Sequence, residues 1–266
     1  TLGAGLFLST NNGSSWTAVN NGIPYPYITV GSIVSDGTNI FAGTSYGLYK
    51  SINNGTNWSL VPGTINMHSS NGSHVVVNGS TIFVGVWGSG MYRSTNNGNS
   101  WTTVNSGLTD LHVNTVLLNG SDIYVGTEGG GIFRSTNNGN NWTAVNNGLS
   151  NYYIYALIAS GSNIFAGTFG GGVFRSSNGG GNWTAVNNGL TYLAFASFSI
   201  DGSNIFAGSF GGGIYVSTNN GDIWTEISNG LTNEDIRAIS ITGSDIFAGS
   251  EGGGVFKSEN QGTSWI

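Results

Sequence analysis

Few residues in this chain could do chemistry: twelve Asp and Glu, six Lys and Arg, three His and no Cys among 266 residues. Glycoside hydrolysis needs two carboxyl groups roughly 5–10 Å apart. Glu128 and Glu251 occupy equivalent loop positions three repeats apart, which places them too far from each other to share one bond. Asp110 and Glu128 are closer in the chain, but nothing in the sequence fixes one against the other. His68, His74 and His112 lack the spacing of metal ligands and read as satisfied or solvated imidazoles. Without Cys there is no zinc-finger, iron–sulfur, disulfide or thiol chemistry. The run Gly129-Gly130-Gly131 precedes no helix, so it does not cradle phosphate. Ser is too abundant for a Ser-His-Asp set to stand out. No catalytic residue, metal or cofactor is expected.

The elements that must carry these residues are legible from a repeat. The string Ser-x-Asn-x-Gly-x-x-Trp occurs seven times, ending at Trp16, Trp58, Trp101, Trp142, Trp183, Trp224 and Trp265, at intervals of 42, 43, 41, 41, 41 and 41 residues. A period near 41 without a helical pattern fits a four-stranded propeller blade. Residues 154–189 read as strands over 154–159, 164–167, 173–176 and 183–186, separated by Gly-, Asn- and Ser-rich turns. The fold class is all-β, with about 41 residues per repeat. Residues 1–266 form one propeller domain of six full repeats plus an overlapping half repeat, as in an excerpt of a longer chain. A seven-bladed ring is favoured, six blades being the alternative. Composition agrees: 46 Gly, 12% aromatic and only 7% charged residues describe neither a disordered chain nor an ordinary globular surface. No apolar run is long enough to span a membrane as a helix. Net charge −6 with six basic residues argues against nucleic acid.

The seven boxes resemble the Asp-box, or BNR, motif of sialidase-type β-propellers, with Asn11, Asn53, Asn96, Asn137, Asn178, Asn219 and Asn260 at the position that is usually Asp. The resemblance covers the whole chain. It implies that each box is a structural turn, its polar side chain bonding backbone amides and its Trp packing between neighbouring sheets. It is nearly silent on function, because such propellers include glycosidases, sugar binders and scaffolds. A sialidase would resemble an arginine triad drawn from separate blades. Here Arg93, Arg134 and Arg175 share one register position with Lys50 and Lys257 before the box, and only Arg237 lies off that register. Sialidase and other glycosidase activity are therefore not expected. The resemblance also implies a bacterial, extracellular or cell-surface setting.

Alternating strand directions sort the loops of a blade onto two rims. Turns between strands 1 and 2 share one rim with the near-identical boxes. Loops between strands 2 and 3 share the other with the connections from strand 4 to the next strand 1. Twenty of the 32 aromatic residues are core by register, and Phe195 and Phe198 join them as strand-1 residues. The remaining ten are Tyr25, Tyr27, Tyr46, Trp87, Tyr152, Tyr153, Tyr155, Phe169, Tyr192 and Phe210, and all fall on the second rim with His112, Glu128 and Glu251. One strand-1 column varies more than its neighbours: Gly31, Ser73, Asn114, Tyr155, Ala196 and Arg237. Two readings stand: a binding surface for a glycan or another surface protein, or loops ordered by packing on one another. Under the first, Trp87, Phe169, Phe210, Tyr155, Tyr152 and Tyr192 supply platforms, and Asn114, Arg237, Glu128, Glu251 and His112 the polar contacts. Arg237 has the alternative of pairing with Glu234 or Asp235. The expected function is a non-catalytic binding or scaffold propeller; a purely structural segment of a surface protein or filament is the alternative.

Overall fold

The computed structural model describes residues 3–24 and 27–266; Tyr25 lies outside them. Every regular element is a β-strand. The first blade comprises Val30–Ser35, Ile40–Thr44, Gly47–Ser51 and Ser59–Leu60, and the second His74–Asn78, Thr81–Val86, Gly90–Ser94 and Thr102–Thr103. Val113–Asn119, Asp122–Thr127, Ile132–Ser135 and Thr143–Ala144 make the third. Blade four is Ile154–Ser160, Asn163–Thr168, Val173–Ser176 and Thr184–Ala185; blade five is Phe195–Asp201, Asn204–Ser209, Ile214–Ser217 and Thr225–Glu226. Blade six has three strands, Ile236–Thr242, Asp245–Ser250 and Gly254–Ser258. Ile266 exchanges two backbone hydrogen bonds with Lys257, the start of a fourth. A hairpin of Phe7–Leu8 and Thr17–Ala18 precedes blade one. Among the described residues there are thus six blades, the alternative count, and the seven-bladed preference is not met: the overlapping half repeat is this hairpin alone.

Fourth strands are two residues long, shorter than the 183–186 span expected from the sequence, because the box Trp stands outside the ladder. It serves the preceding blade. Trp58, Trp142, Trp183 and Trp224 each donate Nε1–H to a backbone carbonyl just past the previous fourth strand, on Val19, Val104, Val145 and Val186, at 2.7–2.9 Å. Aromatic bulk and a satisfied N–H together explain why a buried Trp is used there. Trp16 departs from its expected place between sheets. It is 44% exposed.

Each box is a closed hydrogen-bond network. In blade three Ser135 Oγ donates to Asn137 Oδ1 and accepts from Gly139 N–H, both at 2.9 Å, while Asn137 Oδ1 accepts from Asn141 N–H at 3.0 Å. Asn therefore does the backbone work of the turn, and Asn138 at φ +60° takes the left-handed conformation that Asn tolerates.

The chain divides into two compact units, residues 1–125 with 135–143 and residues 126–134 with 144–266. In the first, Phe41, Leu48, Val61, Val75, Ile82 and Val84 pack between blades one and two. In the second, Phe165, Val173, Phe195, Ile205, Tyr215 and Trp224 do the same between blades four and five.

Candidate functional site

Four of the six positions in the variable column share a backbone feature. The first-strand ladder shifts register between Val30 and Ser32, Ile154 and Ala156, Phe195 and Ser197, and Ile236 and Ala238. Gly31, Tyr155, Ala196 and Arg237 are therefore β-bulge residues, left out of the ladder with their side chains re-aimed. A bulge residue faces no partner across the sheet, which leaves its identity free to change at Tyr155, Ala196 and Arg237; at Gly31 an added Cβ would lie 2.9 Å from the Gly72 backbone.

The 2–3 loops are pinned next to these bulges. In the second unit isolated bridges join Glu128 to Tyr153, Phe169 to Ala194 and Phe210 to Asp235. The glycine runs make this possible. Gly170 and Gly172 both donate N–H to Leu193 O at 2.9 and 2.8 Å, and Gly172 sits at φ +81° with a Cβ position only 2.3 Å from Asn187 Oδ1. That Asn, just after the fourth strand, accepts from Val173 N–H at 2.8 Å, a role repeated by Asn146 for Ile132 at 2.7 Å. In the sequence these Asn residues look like ordinary members of an Asn- and Gly-rich turn. Their fixed place in the repeat was the signal available.

Bulges and loops together build one cluster in the second unit. Tyr155, Phe169 and Phe210 pack on one another, with ring centroids 5.0 Å apart for Tyr155–Phe210, 5.3 Å for Phe169–Phe210 and 5.9 Å for Tyr155–Phe169. The Arg237 guanidinium lies 4.4 Å from the Phe210 centroid. It donates to both Asp235 oxygens, at 2.7 and 3.0 Å, and pairs with Glu251. Of the two partners expected for it, Asp235 is the one it takes. Tyr155 Oη donates to Glu128 Oε1 at 3.4 Å. Burial, then the Glu128 carboxylate, push the Tyr155 phenol above its ordinary value, so it stays a protonated donor. Glu128 and Glu251 thus stand at the two ends of one chain of contacts. Phe169 is 51% exposed, whereas Tyr155, Phe210 and Glu128 are half-buried.

Tyr192 braces this surface. Its Oη donates to Phe210 O at 2.6 Å. Tyr152 gives its carbonyl to the N–H groups of Gly129 and Gly131, both at 3.1 Å. The first unit holds a smaller pairing, in which Trp87 meets His112 edge to face at 4.5 Å and His112 Nδ1 contacts Asp110 Oδ1 at 2.8 Å. Asn114 is buried, with 8% of its surface exposed, and reaches solvent least of the candidate residues. A separate recess of about 620 Å³ in the second unit, lined by Glu226, Ser228, Asn229, Glu234 and Thr263 among others, holds no aromatic side chain.

Two of the three register arginines, Arg93 and Arg175, bind at the opposite ends of the blades. Arg93 donates to Asn138 O and Asn140 Oδ1 at 2.5 and 2.7 Å. Arg175 does likewise with Asn220 O at 2.6 Å and Asp222 Oδ1 at 2.7 Å. Each clamps the next blade's box, so this register is a structural feature of the repeat. No group of three or more His, Asp or Glu positioned to hold a metal occurs among the described residues.

Residues 63–200, more than half of the chain, match the DUF6242 β-propeller domain. The chain belongs to that family. Among solved structures, it resembles the extracellular domain of BT4673 from B. thetaiotaomicron, with a TM-score of 0.79 and 19% identity over 96% of this chain and 36% of that one. It also resembles the GH74 xyloglucanase from Xanthomonas campestris, with a TM-score of 0.75 and 16% identity over 98% of this chain and 50% of the enzyme. A third likeness is YCF48 bound to D1 peptide, with a TM-score of 0.65 and 17% identity over 88% of this chain and 80% of that one. The DUF6242 chain spans only about a third of the length of its BT4673 neighbour. No curated protein matches the sequence. Likeness at these identities is likeness of fold.

Proposed function

We propose that this propeller is a non-catalytic binding or scaffold domain of an extracellular or cell-surface bacterial protein, with its contacts on the rim formed by 2–3 loops and first-strand bulges. The observation that carries the reading is the cluster of Glu128, Tyr155, Phe169, Phe210, Arg237 and Glu251, which four successive repeats contribute to one surface. Aromatic faces beside carboxylates and one guanidinium suit a glycan or a protein segment. Glu251 is engaged by Arg237 and Glu128 by Tyr155, which supports recognition over hydrolysis. Two neighbours are consistent with it, one an extracellular domain and one a propeller bound to a peptide. The Ser–Asn–Trp network of each turn supports reading the repeats as Asp-boxes whose Asp has become Asn. A glycan array read alongside crosslinking to surface-protein extracts tests the proposal. Contacts should map to the cluster and be lost on Phe210→Ala. Contacts made chiefly by the box turns would refute it.

A second reading has its own support. Because the three rings pack on each other, the cluster also serves to order long connections, as a purely structural repeat segment requires. A propeller with no ligand, whose Phe210→Ala form loses stability alone, would establish that reading.

A further inference from the structure

Each bulge residue of the second unit falls between two loop positions, that of the blade before and that of its own blade. Tyr155 stands between Glu128 and Phe169, and Arg237 between Phe210 and Glu251. Both side chains reach their neighbours on either side: Tyr155 bonds Glu128 and packs on Phe169, and Arg237 lies over Phe210 and pairs with Glu251. Between them, Ala196 stands between Phe169 and Phe210 and ends at its Cβ. The two flanking rings touch each other instead and Tyr155 packs on both, while Phe169 keeps 51% of its surface exposed. The repeat thus supplies at every bulge of this unit but one a side chain that covers the loop residue before it.

We propose that the exposed face of Phe169 beside Ala196 is the recognition slot of this rim and takes an arginine side chain from an extended segment of a partner protein, stacked on that ring face. This rests on the binding-rim reading and specifies its partner. Charge supports the cation. Glu128, Glu234, Asp235 and Glu251 share the rim with Arg237; of the other cations of the second unit, Arg134 and Arg175 occupy the third-strand position before a box, Arg175 being held there by Asp222, and Lys257 is paired with Asp245 and Glu259. A guanidinium approaching Phe169 gains from this field and from the ring face. An anionic sugar or a phosphate is repelled.

The test uses labelled hexa-arginine, hexa-citrulline and hexa-glutamate peptides, with a chitosan hexamer as the amino-sugar probe, binding to the intact chain at two salt concentrations. Hexa-arginine should bind and the other two peptides should not. Phe169→Leu, which keeps apolar bulk but removes the ring, should weaken binding roughly three- to thirtyfold. Ala196→Arg, which fills the slot from within, should weaken it similarly, whereas Asp222→Asn at a box should leave it unchanged. Circular dichroism establishes that each variant is folded, and the two slot variants are independent of one another. Equal hexa-arginine affinity for wild type and both slot variants would overturn the slot as the site. Slot-dependent binding of chitosan alone would overturn the protein segment as occupant. A glycan-array hit lost on Phe210→Ala, without hexa-arginine binding, would overturn this inference and leave the binding rim standing. Absence of all binding would remove both.

Discussion

Replacing Trp224 with Ala removes a ring that is 2% exposed and packed with Phe165, Val186, Ile205 and Tyr215. Truncations of buried aromatics cost about 3–5 kcal/mol, and part of that here is the bond from Trp224 Nε1 to Val186 O at 2.8 Å, worth about 1 kcal/mol. Trp224→Phe, which keeps much of the ring but orphans the Val186 carbonyl, should cost about 1–3 kcal/mol. Trp16 supplies the internal control, since it ends the same motif but is exposed. Trp16→Ala in this chain should therefore stay within about 0.5 kcal/mol of wild type. Urea denaturation followed by far-UV circular dichroism measures all three, because tryptophan fluorescence changes with the substitution itself. Repeat architectures spread stability over neighbour contacts, so hydrogen exchange should show the loss concentrated in blades four and five. If Trp224→Ala unfolds with wild type, or Trp16→Ala costs as much as Trp224→Ala, the box Trp is not an inter-blade wedge.

Burial holds the His74 imidazole down, from an ordinary 6.5 to about 4. A lowered folded-state pKa means that the unfolded chain binds the proton first. Stability from this group is complete above pH 6.5, falls as pH drops toward 4, and is lower by about 2 kcal/mol at pH 5; His74→Gln should abolish that slope between pH 7.5 and 5 in urea melts. Arg175→Gln should cost about 0.5–1.5 kcal/mol, since the clamp on Asn220 and Asp222 is partly exposed, and a double-mutant cycle with Asp222→Asn isolates the charged part. Gly172→Ala should be much worse than an average surface change, more than about 2 kcal/mol, because φ is +81° and the added Cβ would fall on Asn187; a melting point within a degree of wild type would refute the loop geometry.

Seven boxes in register made the blade legible, because a turn that must present Ser, Asn, Gly and Trp at fixed offsets cannot drift in sequence. The second rim was legible as a set of leftover aromatics, and Tyr155, Phe169, Phe210, Arg237, Glu128 and Glu251 do meet there. Their pairing was not. Arg237 reaches back to the loop of the blade before and forward to its own, a geometry set by blade spacing and not by any local pattern. Likewise, Tyr192 reads as a platform in sequence, but its hydroxyl is committed to Phe210 O.

The bulge explains why the repeat departs from itself where it does. Inside the ladder, a residue such as Phe165 or Ile205 is fully buried against the neighbouring sheet, and any change in size meets a close-packed wall. At the bulge the chain inserts one residue without a cross-strand partner, so Tyr155, Ala196 and Arg237 can differ without disturbing a ladder pair, whereas at Gly31 the backbone of Gly72 lies too close for a side chain. Similar freedom holds for Glu128, Phe169 and Phe210, whose backbones are fixed by bridges to the next blade, and for Glu251, whose N–H bonds Asp235 O of its own blade, because none of these side chains enters a strand ladder. A rigid backbone with variable side chains is what a recognition surface needs. The box end of each blade, where Arg93 and Arg175 are committed to neighbouring turns, offers no such freedom.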